Sequence, residues 1–119
     1  MSTKVSSESF IHSSDLAWED AGEGVRRKIL SFASEIMMVR VVFRRGSAGP
    51  VHRHPHRQVT YVESGRFEVE IEGKTEVLSA GDSFIVGPET AHGVKALEDG
   101  CLIDVFAPAR EDFLRESNK

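Results

Sequence analysis

From Arg66 to Glu72 the chain alternates without a break. Phe67, Val69 and Ile71 are apolar, and Glu68, Glu70 and Glu72 separate them. A period of two puts the apolar set on one face of an extended strand and the acids on the other, the mark of an antiparallel sheet with one face on a core. The same period recurs earlier, where Met37, Val39, Val41 and Phe43 share a face and Arg40 and Arg44 lie opposite. That earlier segment reads as a strand over Ile36–Arg44, and around the two lie further short runs: Val25–Phe32, Val59–Val62, Thr75–Leu78, Phe84–Val86, His92–Ala96 and Cys101–Phe106. Glycine-bearing turns separate many of them, at 46–50, 63–66, 73 and 79–82. No stretch sustains a helical period except a short one near 111–116. Many short strands with glycine turns predict an all-β sandwich or barrel with a brief C-terminal helical turn. Its predicted core is Met37, Val39, Val41, Phe43, Phe67, Val69, Ile71, Phe84 and Val86.

At 119 residues the chain reads as one domain. Residues 1–9 are Ser-rich and read as frayed, and the barrel as spanning about residues 16–107. A net charge of −4 with scattered basic residues predicts no nucleic-acid partner. No apolar run approaches the ~20 residues of a membrane helix, and Met1–Glu8 has no hydrophobic signal region. A cytoplasmic protein without a membrane partner is therefore expected. The single Cys101 excludes an internal disulfide and reads as a small buried hydrophobe. A chain of this size gains core by pairing, so a homodimer is expected, with Phe10-Ile11 as an apolar strand for a partner's sheet edge.

Four candidate metal ligands stand in this frame. Gly46 is followed after five residues by His52, then His54, Gln58 and, six residues on, Gly65. Gly81-Asp82, Pro88 and His92 form a second block. Histidines two positions apart project from one strand face. With an amide oxygen and a distant third histidine they can converge on one divalent ion and leave positions open for water or substrate. The plainer reading of His-Arg-His-Pro-His is a solvated loop. His56 reads as a rim residue, because Pro55 interrupts the alternation. Gln in place of a carboxylate leaves more net positive charge on the ion and makes it a stronger Lewis acid.

A second constellation ends the last strand, where Asp104 and Phe106 share a face and Arg110 follows Pro108. A carboxylate on an inner face is costly unless paired or catalytic. Pairing with an internal arginine is the structural alternative. The planar fork of Arg110 suits clamping a carboxylate.

These spacings resemble the two-part signature of the cupin superfamily. Gln58 stands where most members have Glu, and Pro88 sits one place later than usual. The segments His52-Arg-His-Pro-His-Arg-Gln58, His92-Gly93 and Asp104-Val-Phe-Ala-Pro-Ala-Arg110 are similar to the KdgF group of cupins. Trp18-Glu19 and Gly24-Val25-Arg26-Arg27 extend the resemblance over about residues 16–114. It implies a double-stranded β-helix (a jelly-roll barrel) holding one divalent metal, Ni, Mn, Fe, Co or Zn, on His52, His54, Gln58 and His92. It further implies a small sugar acid as substrate: ring opening of 4,5-unsaturated uronates to the linear 5-keto-4-deoxyuronate. In that reaction the metal binds the uronate carboxylate and an adjacent oxygen, and Asp104 moves a proton. Arg110 orients a negative group, and Phe106 packs on the sugar. Two other functions fit a cupin site: an Fe(II)-dependent dioxygenase, which consumes O₂, and a non-catalytic sugar-acid binding module.

Overall fold

The computed structural model describes residues 6–117. After a 3₁₀ turn at Ser13–Asp15 come ten strands: β1 Glu19–Asp20, β2 Val25–Ala33, β3 Ile36–Phe43, β4 Ala48–His52, β5 Arg57–Ser64, β6 Arg66–Ile71, β7 Lys74–Ser79, β8 Ser83–Val86, β9 His92–Ala96 and β10 Gly100–Ala107. The helix α1, Glu111–Ser117, closes the order. Six strands form one antiparallel sheet in the order β1-β2-β3-β10-β5-β8, and four form a second, β4-β9-β6-β7. This is the double-stranded β-helix with a short terminal helix that the alternation and the resemblance imply.

Registry across the larger sheet stacks its inward residues in rows. One row joins Arg27, Val41, Leu102 and Val62, and the next joins Ile29, Val39, Asp104, Thr60 and Phe84. A third joins Met37, Phe106, Gln58 and Val86. Chemistry therefore enters an otherwise apolar inner face in adjacent rows. The core joins both sheets, and Phe43 of β3 meets Phe67 of β6 edge to face at 5.2 Å.

Eight of the nine predicted core residues are buried, and Ile71 is only half-buried. Ile71 ends β6 at the rim, where Glu72 and Gly73 turn the chain with positive φ. The turn expected at 46–50 is shorter than that, because Ala48, Gly49 and Pro50 already belong to β4. β4 is an edge strand, where a residue without an amide proton costs no ladder bond. Of the segment 1–9 expected to fray, residues 1–5 lie outside the described residues. Ser6 bridges Ala33, and the Ser7 amide donates to Phe32 O at 2.8 Å. Phe10 is 86% exposed, whereas Ile11 lines a groove with Leu16, Ile29 and Leu30. Gly65 takes φ +84°, and a Cβ there would lie 2.6 Å from Asp99 O, so the β5–β6 turn requires glycine.

Cys101 is buried, and burial with Glu63 nearby pushes its thiol up to about 11. At pH 8 roughly one thiol in 10³ is then ionised, and the thiolate is the reactive form. Native protein should resist iodoacetamide at pH 8 and react fully in urea. Rapid labelling of the native chain, followed by mass spectrometry, would show that the thiol is open to solvent.

Candidate metal centre and cavity

His52 and His92 are direct cross-strand partners at the end of β4 and the start of β9. Gly93 makes that approach feasible: a Cβ there would fall 2.8 Å from Val51 N and 2.9 Å from Gly49 O. His54 lies just beyond β4, and its ring centroid is 5.3 Å from that of His52 and 4.9 Å from that of His92. One ring nitrogen from each of the three histidines lies within 4.8 Å of the others. Gln58 of β5 completes the group: its Oε1 is 3.0 Å from His54 Nε2 and 3.1 Å from His92 Nε2.

Proton bookkeeping tests whether this group suits a cation. His52 Nδ1 and His92 Nδ1 donate to the carbonyls of Pro50 and Thr90, at 2.9 and 2.8 Å. In the neutral tautomer each Nε2 then carries a lone pair. Burial drives His54 down to about 4 and lowers His92 as well, so both rings are neutral at pH 7. Gln58 Nε2 donates to Thr60 Oγ1 at 2.8 Å, which turns Oε1, an acceptor, toward the histidines. The lone pair of His92 Nε2 thus faces another acceptor at 3.1 Å, an arrangement that a shared cation relieves. Two ligands at right angles, each about 2.1 Å from one ion, lie about 3 Å apart. The donor set therefore fits a divalent metal in chemistry and in spacing. His56 stands outside this group. Its ring is 5.3 Å from that of His54, and its Nδ1 is buried without a partner.

A cavity of about 160 Å³ opens onto the ligands, lined at its polar end by His52, Gln58, His92, Asp104 and Arg110. Asp104 Oδ1 accepts from Thr60 Oγ1 at 2.7 Å and, weakly, from Gln58 Nε2 at 3.4 Å. Thr60 thus links the Gln58 amide to the carboxylate. Asp104 keeps some accessible surface because it lines the cavity. It lies deep enough that burial pushes its carboxyl up to about 6, against the pull of Thr60 and Arg110. That places it where proton transfer in either direction is accessible near neutrality. Asp104 is not locked into an ion pair: Arg110 bonds Asp112 instead, through Nε at 3.0 Å and Nη2 at 2.8 Å. The Arg110 guanidinium lies 5.0 Å from the Phe106 ring centroid and 4.1 Å from that of Phe113.

The structure thus brings together His52, His54, Gln58, His92, Asp104, Phe106 and Arg110. It adds Thr60, Phe113 and Arg27, to which the sequence alone assigned no part in the site. Thr60 alternates inward from Gln58, and Arg27 alternates inward from Val25, so strand phase was the available signal for both.

The cupin domain family model matches residues 39–106. The chain is 46% identical over 99 residues to the pectin degradation protein KdgF of Dickeya dadantii, covering 82% of this chain and 90% of that protein. KdgF from Halomonas sp. superposes with a TM-score of 0.86 at 43% identity, over 91% of this chain and all of that one. An RmlC-like cupin from Shewanella frigidimarina superposes with a TM-score of 0.90 at 45% identity, over 92% of this chain and 99% of that one. The anti-sigma-E factor ChrR of Cereibacter sphaeroides is 32% identical over 81% of this chain but only 45% of its own length.

Proposed function

The chain belongs to the cupin family, and on that premise we propose that it is a metal-dependent enzyme that opens the ring of 4,5-unsaturated uronates to the linear 5-keto-4-deoxyuronate. The observation that carries this reading is a half-buried cavity carboxyl, Asp104, pushed up to about 6 and tied through Thr60 to Gln58 of the His₃Gln group in the same cavity. The similarity to KdgF proteins over most of the chain supports the substrate class.

The reaction is an isomerisation. A proton leaves the anomeric hydroxyl and the C1–O5 bond breaks, so that C1 becomes an aldehyde. The electron pair on O5 forms an enolate with the C4=C5 bond, and a proton arrives at C4. His52, His54, Gln58 and His92 would hold the divalent ion, which supplies Lewis acidity to the substrate oxygens as negative charge develops there. Asp104 takes the proton from the anomeric hydroxyl and returns one to C4, with Thr60 fixing its orientation. Arg110, its Nε and Nη2 held by Asp112, offers its remaining N–H groups to a substrate carboxylate. Phe106 offers an apolar wall beside the ring.

Protein purified without affinity resin and loaded with Mn, Ni, Fe, Co or Zn should bind about one ion per chain. It should speed the loss of ultraviolet absorbance of an unsaturated galacturonate or its alginate counterpart, with no O₂ uptake. His92→Ala should abolish both metal retention and rate. Absorbance decaying at the uncatalysed rate with fully metallated protein would sink the reading. O₂ uptake on adding substrate would favour the dioxygenase.

A further inference from the structure

We propose that Arg27 is a second substrate-binding arginine of the cavity, and that with Arg110 it makes the site select sugar acids over neutral sugars. The proposal deepens the function above and rests on it for the class of ligand. Arg27 lies on the inner face of β2, in the row of Val41 and Leu102, and is 8% exposed. An arginine in that row breaks an apolar pattern, and burying a charge there is costly without a partner.

The two arginines are built alike. Arg27 Nε donates to Glu19 at 3.1 Å, and Arg110 donates to Asp112. In each pair the guanidinium side chain is the hidden member, 10% and 11% exposed, and the acid is the solvent-side member, 29% and 47% exposed. Both guanidiniums also pack on one ring: Phe113 has Arg27 at 3.7 Å and Arg110 at 4.1 Å from its centroid. Both line the cavity, whereas Glu19 and Asp112 do not; Asp104 is the acid that lines it.

Each pair ties its own element, β1 or α1, to the cavity wall, and both guanidiniums still line the cavity. A carboxylate that enters this cavity gains charge-assisted hydrogen bonds from two cations already held in place. A hexuronate carboxylate has the charge suited to a cavity lined by Arg27, Arg110, His52, Gln58 and His92.

The test uses unreactive probes, so that it reads binding and not turnover. Calorimetry on the metallated full-length protein compares galacturonate with galacturonamide, which keeps the ring and hydroxyls but carries no charge. Wild type should bind the acid at least tenfold more tightly. Arg27→Gln should lose most of that ratio while amide affinity changes less than threefold, and Arg27→Lys, which keeps the charge but not the fork, should retain part of it. Metal content and Tm of each variant are measured alongside, and Arg27→Lys serves if the Gln variant fails to fold. An undiminished acid-to-amide ratio in the variants, or no discrimination by wild type, overturns the proposal. Failure of the ring-opening assay alone would overturn the reaction and leave the binding ratio standing.

Discussion

Asp104→Asn should lower the rate of the proposed unsaturated-uronate ring opening by about 10²–10⁴, the range for loss of a proton-transfer group, while the metal-loaded protein keeps its ion. The substitution is nearly isosteric, so Phe106 and Leu102 on either side of it in β10 keep their packing. The Asn side-chain oxygen can still accept from Thr60 Oγ1, which donates to Asp104 at 2.7 Å in the wild type. What disappears is a carboxyl that can take a proton and give one back, the role proposed for Asp104 in the ring opening. Arg110→Ala should also abolish the proposed turnover with the loaded metal retained, since Arg110 lines the cavity and is not among the proposed ligands. Metal analysis and absorbance kinetics on the same preparation separate this from collapse of the centre. A variant that loses rate and metal together would make Asp104 a support for Gln58, which it touches at 3.4 Å. A variant within threefold of wild type would remove Asp104 from the chemistry.

Phe67→Ala should destabilise the fold by about 3–5 kcal/mol, the usual cost of deleting a buried phenyl ring. Phe67 is 0% exposed and joins the two sheets through its edge-to-face contact with Phe43. The packing around it has no slack: a Cβ built on Gly100 would come within 2.8 Å of the Phe67 ring. The backbone of β10 therefore lies against that ring, and the cavity left by Ala has little freedom to collapse. Urea unfolding followed by tryptophan fluorescence and circular dichroism measures the loss. A cost below about 1.5 kcal/mol, the scale of a volume-conserving swap, would mean that the inter-sheet contact is weaker than the geometry implies.

The sequence by itself determined the sheet phases, and with them most of the core. Strict alternation in 66–71 leaves one register that buries the apolar set, because a slip of one residue would bury Glu68 and Glu70; in 36–43, where Ile36, Met38 and Val42 make the other face largely apolar too, Arg40 is the polar marker of the outer face. It also contained the ligand candidates, since His52, His54, Gln58 and His92 stand out by residue type and spacing. Period and spacing alone left open how they meet. The pairing of His52 with His92 across β4 and β9 spans forty positions and depends on Gly93 admitting the neighbouring backbone. Pro50 looked like a turn residue until the sheet order placed it on an edge strand. Only the tertiary structure decided which polar inward residues act together. Thr60, Arg27 and Phe113 are ordinary residues in the chain and become parts of the site because β5, β2 and α1 bring them beside Asp104 and Arg110. Local pattern specifies which face a side chain takes; long-range pairing specifies its neighbours, and proton transfer, charge and metal binding all depend on neighbours a few ångströms away.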